Sequence, residues 1–158
     1  MKIKIKKQII LLPLAIILFS SVSHSQGIIS TKYKDLDFGE VFLGYSSNVL
    51  NTDPGAGKYS FIQEVFKHSN MLITLTLPAY LSNNINTIPV IFDAAHTAWS
   101  KNDSPTNRIN FNPNAPLIVR NLKRYDDMFV WLGGMITVPS NISGGVYTNS
   151  IIINIEFY

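Results

Sequence analysis

The chain holds few side chains whose type and spacing could do chemistry, and each has a competing plain explanation. "DPGAGKYS", residues 53 to 60, has the look of a phosphate-binding loop. That motif needs Gly, four residues and then Gly-Lys-Ser/Thr, so that backbone N–H groups and the lysine surround the phosphates. Counting back from Gly57 and Lys58 puts Thr52 at the first glycine position, and Tyr59 stands where the metal-binding hydroxyl belongs. No helix pattern follows to aim its N-terminus at an anion. Pro fixes φ and Gly supplies positive φ, so the stretch is expected to be a turn.

His24, His68 and His96 are far apart, and there is no Cys. None shows the His-x-x-x-His or Glu-linked spacing of a metal site, so His68 and His96 are expected at the surface or at strand ends. No Gly-x-Ser-x-Gly elbow marks a nucleophile. Asp126 and Asp127 are adjacent. On a strand they would face opposite sides, and in a turn they would be solvated or, less often, hold calcium with backbone carbonyls. Trp131, between Val130 and Leu132, is expected in the core. Trp99, beside a polar stretch, is expected to be exposed, and Tyr80 and Trp99 are the candidate ligand face. No catalytic, cofactor or metal site emerges, and the reading is non-enzymatic.

The elements that would position these groups are strands. "GIISTKY" is a weakly patterned first strand and "LDFGEVFLG" a stronger one; "SSNVLN", "KYSFIQEVF", "NMLITLTLP", "TIPVIFDAAH", "LIVRNL" and "MFVWLGGMITVP" follow, with turn residues between them. Period two with Gly, Pro and Asn punctuation is the strand signal. In "LDFGEVFLG", Gly39 offers a bulge that shifts the phase of Leu36, Phe38, Val41 and Leu43. No stretch of ten or more residues carries a capped 3.6 period. Residues 101–116, "KNDSPTNRINFNPNAP", break the pattern: a long Asn/Pro-rich loop with a short strand around Ile109 to Phe111, read as an insertion. The last eight residues alternate again. Ile151, Ile153, Ile155 and Phe157 fall on one side, expected to be fully committed to a core, and Ile152, Asn154, Glu156 and Tyr158 on the other.

The first 25 residues are expected to be a cleaved signal peptide: Lys2, Lys4, Lys6 and Lys7, an apolar run from Ile9 to Phe19, then Ser23 and Ser25 at the cleavage spacing before Gln26. The run is short for a membrane span, and no Cys follows it to carry a lipid. Residues 26–158 then form one domain, located in the periplasm, at the cell surface or outside the cell, with no integral membrane span. Of 13 basic side chains against 10 acidic, four sit in the leader, so the mature chain is slightly acidic. That leaves no basic stripe for nucleic acid. With no Cys, the domain must hold by packing and hydrogen bonds alone. A small outer-membrane barrel would need lipid-facing apolar residues in step with Tyr158, where Glu156 and Asn154 stand.

"LDFGEVFLGYSSNV...DPGAGKYSF", "NMLITLTLP" and "VWLGGMITVPSNISGGVYTNSIIINIEFY", in that order, resemble the opening, middle and close of the bacterial domain of unknown function 4402 family. The resemblance spans Leu36 to Tyr158, with 101–116 as its weak zone. That family is similar to spore-coat-U-type and chaperone–usher pilin subunits. The resemblance implies an all-β, immunoglobulin-like antiparallel β-sandwich, pilin-like, closing with a Gly fourteenth from the end and a penultimate aromatic, here Gly145 and Phe157. It also implies that the last strand is an assembly surface, with Gly145, Tyr147, Ile151, Ile153, Ile155 and Phe157 as candidates. The implied partners are the protein itself or other pilin-like subunits and a periplasmic chaperone, through strand addition. The alternative is a carbohydrate- or ligand-binding sandwich using the 101–116 loop, since recognition concentrates on loops of a rigid scaffold.

Overall fold

The period-two pattern becomes twelve strands in a computed structural model that describes residues 27–64 and 67–158; the expected leader lies outside the described residues. In chain order they are β1 (Ile28–Lys34), β2 (Ser46–Val49), β3 (Gly57–Gln63), β4 (His68–Thr76), β5 (Tyr80–Ser82) and β6 (Thr87–Ile91). There follow β7 (Thr97–Ser100), β8 (Ile109–Asn110), β9 (Leu117–Lys123), β10 (Asp127–Leu132), β11 (Gly134–Thr137) and β12 (Ile152–Phe157). One 3-10 turn, Pro105–Asn107, is capped by the Ser104 side chain. The fold is all-β, and every strand pairing is antiparallel.

Three sheets form, in the orders β1-β3-β10-β7-β8, β2-β11-β6-β5 and β12-β4-β9. The five-stranded and three-stranded sheets face each other across a first core. Phe61 of β3 and Met128, Val130 and Leu132 of β10 meet Met71 and Ile73 of β4 and Val119 and Leu122 of β9 there. This is a sandwich, with side chains of the two inner faces interdigitating. A second core, Ile88, Val90 and Phe92 with Ile136 and Val138, lies on the four-stranded sheet.

The long run "MFVWLGGMITVP" serves both cores because it bends at Gly133, leaving one sheet as β10 and entering another as β11. Gly133 N–H donates to the His96 carbonyl at 2.7 Å. A Cβ at Gly133 would collide with the Val49 carbonyl, so only glycine allows this crossing.

Three expectations change. Residues 36–44, expected as a strand, take no strand pairing: Gly39 and Gly44 at φ +68° and +80° turn the chain. Leu36, Phe38 and Val41 still drop onto the second core, so their apolarity served packing and not a ladder. Trp99, expected to be exposed, sits opposite Val130 and packs toward the first core. Trp131 is buried, but on the other face of the sheet.

Residues 101–116, read as an insertion, are built into the sandwich. β8 pairs with β7, Pro113 is fully buried, and Phe111 packs against the first core. The Thr97 hydroxyl donates to the Phe111 carbonyl at 2.5 Å, and the Asn114 amide donates to the Phe92 carbonyl at 3.0 Å. The Asn/Pro-rich composition supplies turns and side-chain donors; it does not signal disorder here.

Candidate functional site

The C-terminal segment is the region where sequence signal and geometry converge. β12 pairs with β4 alone, from Ile152↔Thr76 to Phe157↔Met71, and forms one edge of its sheet. β1 is likewise an edge, pairing with β3 alone. The two edges belong to opposite sheets yet share one flank of the sandwich. A cleft of about 460 Å³ lies between them, lined by Ile28, Ser30, Phe61, Ile153 and Ile155 among others.

The cleft stays open for a reason in β1. Ser30 faces the same way as its partner Phe61, and Lys32 the same way as Tyr59. After Ile28, where a core strand would continue with apolar side chains, β1 supplies a hydroxyl and an ammonium. Ile153, Ile155 and Phe157 therefore alternate inward as expected but are only half-buried, and Ile152 on the other face is 55% exposed. The expectation of a face fully committed to a core is corrected: apolar alternation specifies which side faces in, while burial depends on what lies opposite.

Upstream, the same segment forms a wall of the second core. Ile151 packs against both cores, and Tyr147 against the second, its hydroxyl donating to the Ser143 carbonyl at 2.6 Å. Gly145 sits in an exposed turn at φ +153°. Thr148 bridges to Ser82 through both backbone groups. All six residues singled out from the sequence thus lie along one flank. Tyr80 and Trp99 do not come together: Tyr80 lies half-exposed on β5 of the four-stranded sheet, Trp99 on β7 of the five-stranded sheet.

Between this wall and residues 35–43 the second core is an open bowl of about 910 Å³. Its lining includes Phe38, Leu81, Phe92, Val138 and Ile142, with Asp35, Asp37 and Glu40 at the rim. Tyr59 borders both bowl and cleft. Burial, and then the negative charge of Asp35, push its phenol above the ordinary value, so it stays a neutral donor.

The opposite, outer face of the five-stranded sheet is closed by an aromatic and cationic layer. Phe129 and Trp131 stack at 5.8 Å, with Tyr33 at 6.3 Å from Phe129. From the 101–116 segment, Arg108 lays its guanidinium 4.0 Å over Trp131, and Asp103 holds Lys58 at 2.6 Å, which itself lies 4.8 Å from the Tyr33 ring. Cations over aromatic faces stabilise by about 0.5–2 kcal/mol each. Burial lowers the Arg108 pKa and the Asp103 charge opposes that.

His96, expected at the surface or a strand end, is buried at the turn leading into β7. Its Nδ1 meets Asp93 Oδ1 at 2.7 Å and its Nε2 meets Asn48 Oδ1 at 2.5 Å. Asp93 also accepts from the Ala95 N–H at 2.8 Å. Desolvation raises the Asp93 carboxyl, but the His96 ring, the backbone donors and the His96 charge outweigh it and hold its pKa below the usual range. The second ring nitrogen is spent on Asn48 and faces no nucleophile, so the dyad is a structural pin between β2 and β7. Sequence reading missed it because Asp93-x-x-His96 is a turn motif whose partner, Asn48, is distant in the chain. Asp126 caps the β9–β10 turn by accepting from Lys123 N–H at 2.9 Å, while Asp127 is exposed.

Among the described residues no group of three or more His, Cys, Asp or Glu side chains could hold a metal ion, and no helix is long and apolar enough to cross a membrane. No family model, curated protein or solved structure matches the chain.

Proposed function

We propose that this is an exported, non-enzymatic structural or interaction protein, a pilin-like immunoglobulin-type sandwich whose C-terminal strand is an assembly joint. One observation carries the reading: β12 is the least protected sheet edge among the described residues. Sheet edges are ordinarily blunted by shortness, by Lys or Pro, or by bulges, because their free N–H and C=O groups template pairing with another chain. The other edges follow that rule. β8 and β5 have two and three residues and β2 four, while β1 carries Lys32 and Lys34 and β9 carries Arg120 and Lys123. β12 has six residues with neither Lys, Arg nor Pro, a single charge at the exposed Glu156, and half-buried apolar side chains beside an open cleft.

Strand addition there would satisfy the free backbone ladder and cover Ile153 and Ile155 together. The order of the sequence motifs and the basic–apolar leader support the same reading, with the protein itself, pilin-like subunits or a periplasmic chaperone as the partner. The test is to express the untagged precursor, shear the cells, and run surface and periplasmic fractions on a gel without boiling. A ladder of heat-labile multimers supports the joint. A single monomer band in every fraction, at concentrations where the protein is abundant, overturns it.

A further inference from the structure

We propose that β12 pairs with β12 of a second copy of this chain, antiparallel, about a two-fold axis at Ile155. The inference rests on the edge-joint reading above and adds to it the partner, its direction and its register.

The backbone sets which residues can take part. Asn70 and Tyr158 exchange both backbone bonds, at 2.9 and 3.1 Å. In an antiparallel ladder such pairs alternate with pairs that exchange none. Along the register of β12 on β4, Ile152, Asn154 and Glu156 therefore bond to β4. Ile153, Ile155 and Phe157 turn their N–H and C=O groups to the open side. These are the same residues whose side chains face inward. A strand that bonds to them lays its own alternate side chains on that face, so it must be apolar at those positions.

The edges of a second copy narrow the choice of partner. β9 bulges at Arg120 and Asn121, with Asn121 at φ +55°, and β1 shifts register between Lys32 and Lys34. β2, β5 and β8 have four residues or fewer. β12 keeps its register from Ile152 to Phe157 without a break, and it is apolar at the required alternate positions.

Side chains then fix the register. Centred on Ile155, Ile153 stands opposite the second copy's Phe157, so every inner pair is apolar. On the outer face Ile152 meets the second copy's Tyr158, and both are exposed in the single chain. Asn154 meets the second copy's Glu156, an amide donor against a carboxylate. Centred on Glu156 instead, two carboxylates stand opposite each other, which is unfavourable. Centred on Asn154, Glu156 falls beside the second copy's Ile152 and loses its donor. Shifts of two residues or more leave an end of β12 unpaired. The Ile155 register alone matches both faces.

The chain has no Cys, so introduced thiols report the register directly. The test uses the full precursor, exported by cells, with mild oxidation and a non-reducing gel. Ile155→Cys is expected to give a reducible dimer, because facing bonded residues lie about 5.5 Å apart between Cα atoms, within disulfide reach. Asn154→Cys and Glu156→Cys sit at exposed positions, which spares the fold. Co-expressed, with one copy tagged, they should form the mixed dimer about tenfold faster than either forms its own, since like positions lie on a diagonal of about 7–8 Å.

An isologous joint closes at two copies, so the dimer is the heat-labile band that it explains. Dimers of Asn154→Cys alone or Glu156→Cys alone that form as fast as the mixed one overturn the register. Heat-labile multimers without any of these cross-links overturn self-pairing and leave the edge joint standing, with a different strand seated on it. A monomer band with no cross-link overturns both.

Discussion

The two sides of the first core are closed by different means. On the outer face of the five-stranded sheet, residues 101–116 bring Asp103 and Arg108 over a buried aromatic row, and Asn114 and the Phe111 carbonyl tie the segment down. Along the flank, residues 142–157 are far more apolar and yet leave a cleft and a bowl unfilled. The difference teaches that closure follows from what each side chain meets. Arg108 finds Trp131, and Trp131 is left 3% exposed. Ile153 and Ile155 find Ser30 across the gap and stay half-open. The polar segment is structural, and the apolar one is left partly open.

The largest test of that contrast is to excise residues 101–116. The Trp131 and Phe129 faces would be bared and Pro113 lost from the interior, so the chain should lose its cooperative unfolding transition. Exposing one large apolar side chain already costs about 1.5–3 kcal/mol against a total of about 5–15. Urea titration followed by tryptophan fluorescence reads it; an unchanged midpoint would return the segment to the status of an insertion.

Next come single charges on β12. Ile155→Asp should destabilise by about 2 kcal/mol, less than a fully buried site because water reaches the cleft. Ile152→Asp, on the exposed face, should stay within about 0.5 kcal/mol. Equal and large losses at both positions would mean that the strand is covered on both sides in solution, as when a partner strand is seated.

The smallest effect concerns acid. Asp93 has a lowered folded pKa, so its contribution is present above its unfolded value of about 3.9 and is lost as pH falls through the folded one. Asp93→Asn should therefore flatten the loss of stability below about pH 4 while leaving acid lability elsewhere intact. Thermal melts from pH 5 to pH 2 would show it, and parallel curves for both proteins would remove the dyad from the account.

Much of the ladder was legible. β1, β2, β3, β4, β6, β9, the β10–β11 run and β12 all fall within stretches read as strands, and β4, β6 and β12 show the alternation of a half-buried strand outright. β5 and β7 were not, being three and four residues long, too short for a period to declare itself. The six flank residues were found by type and order, but the bowl was not, since it is assembled from residues 35–43 and the distant Ile142 and Tyr147.

By itself the sequence determined an all-β chain without disulfides, the inward set of β12, and the absence of any local catalytic motif; these depend on near neighbours and on composition. Tertiary structure alone decided that residues 35–43 pack without pairing, that Trp99 faces in and Trp131 out, that His96 is pinned by Asn48, and that the polar loop closes one face while the apolar end leaves the other open. Each of those depends on which distant residue stands opposite, and alternation along one strand says nothing about the strand it will face.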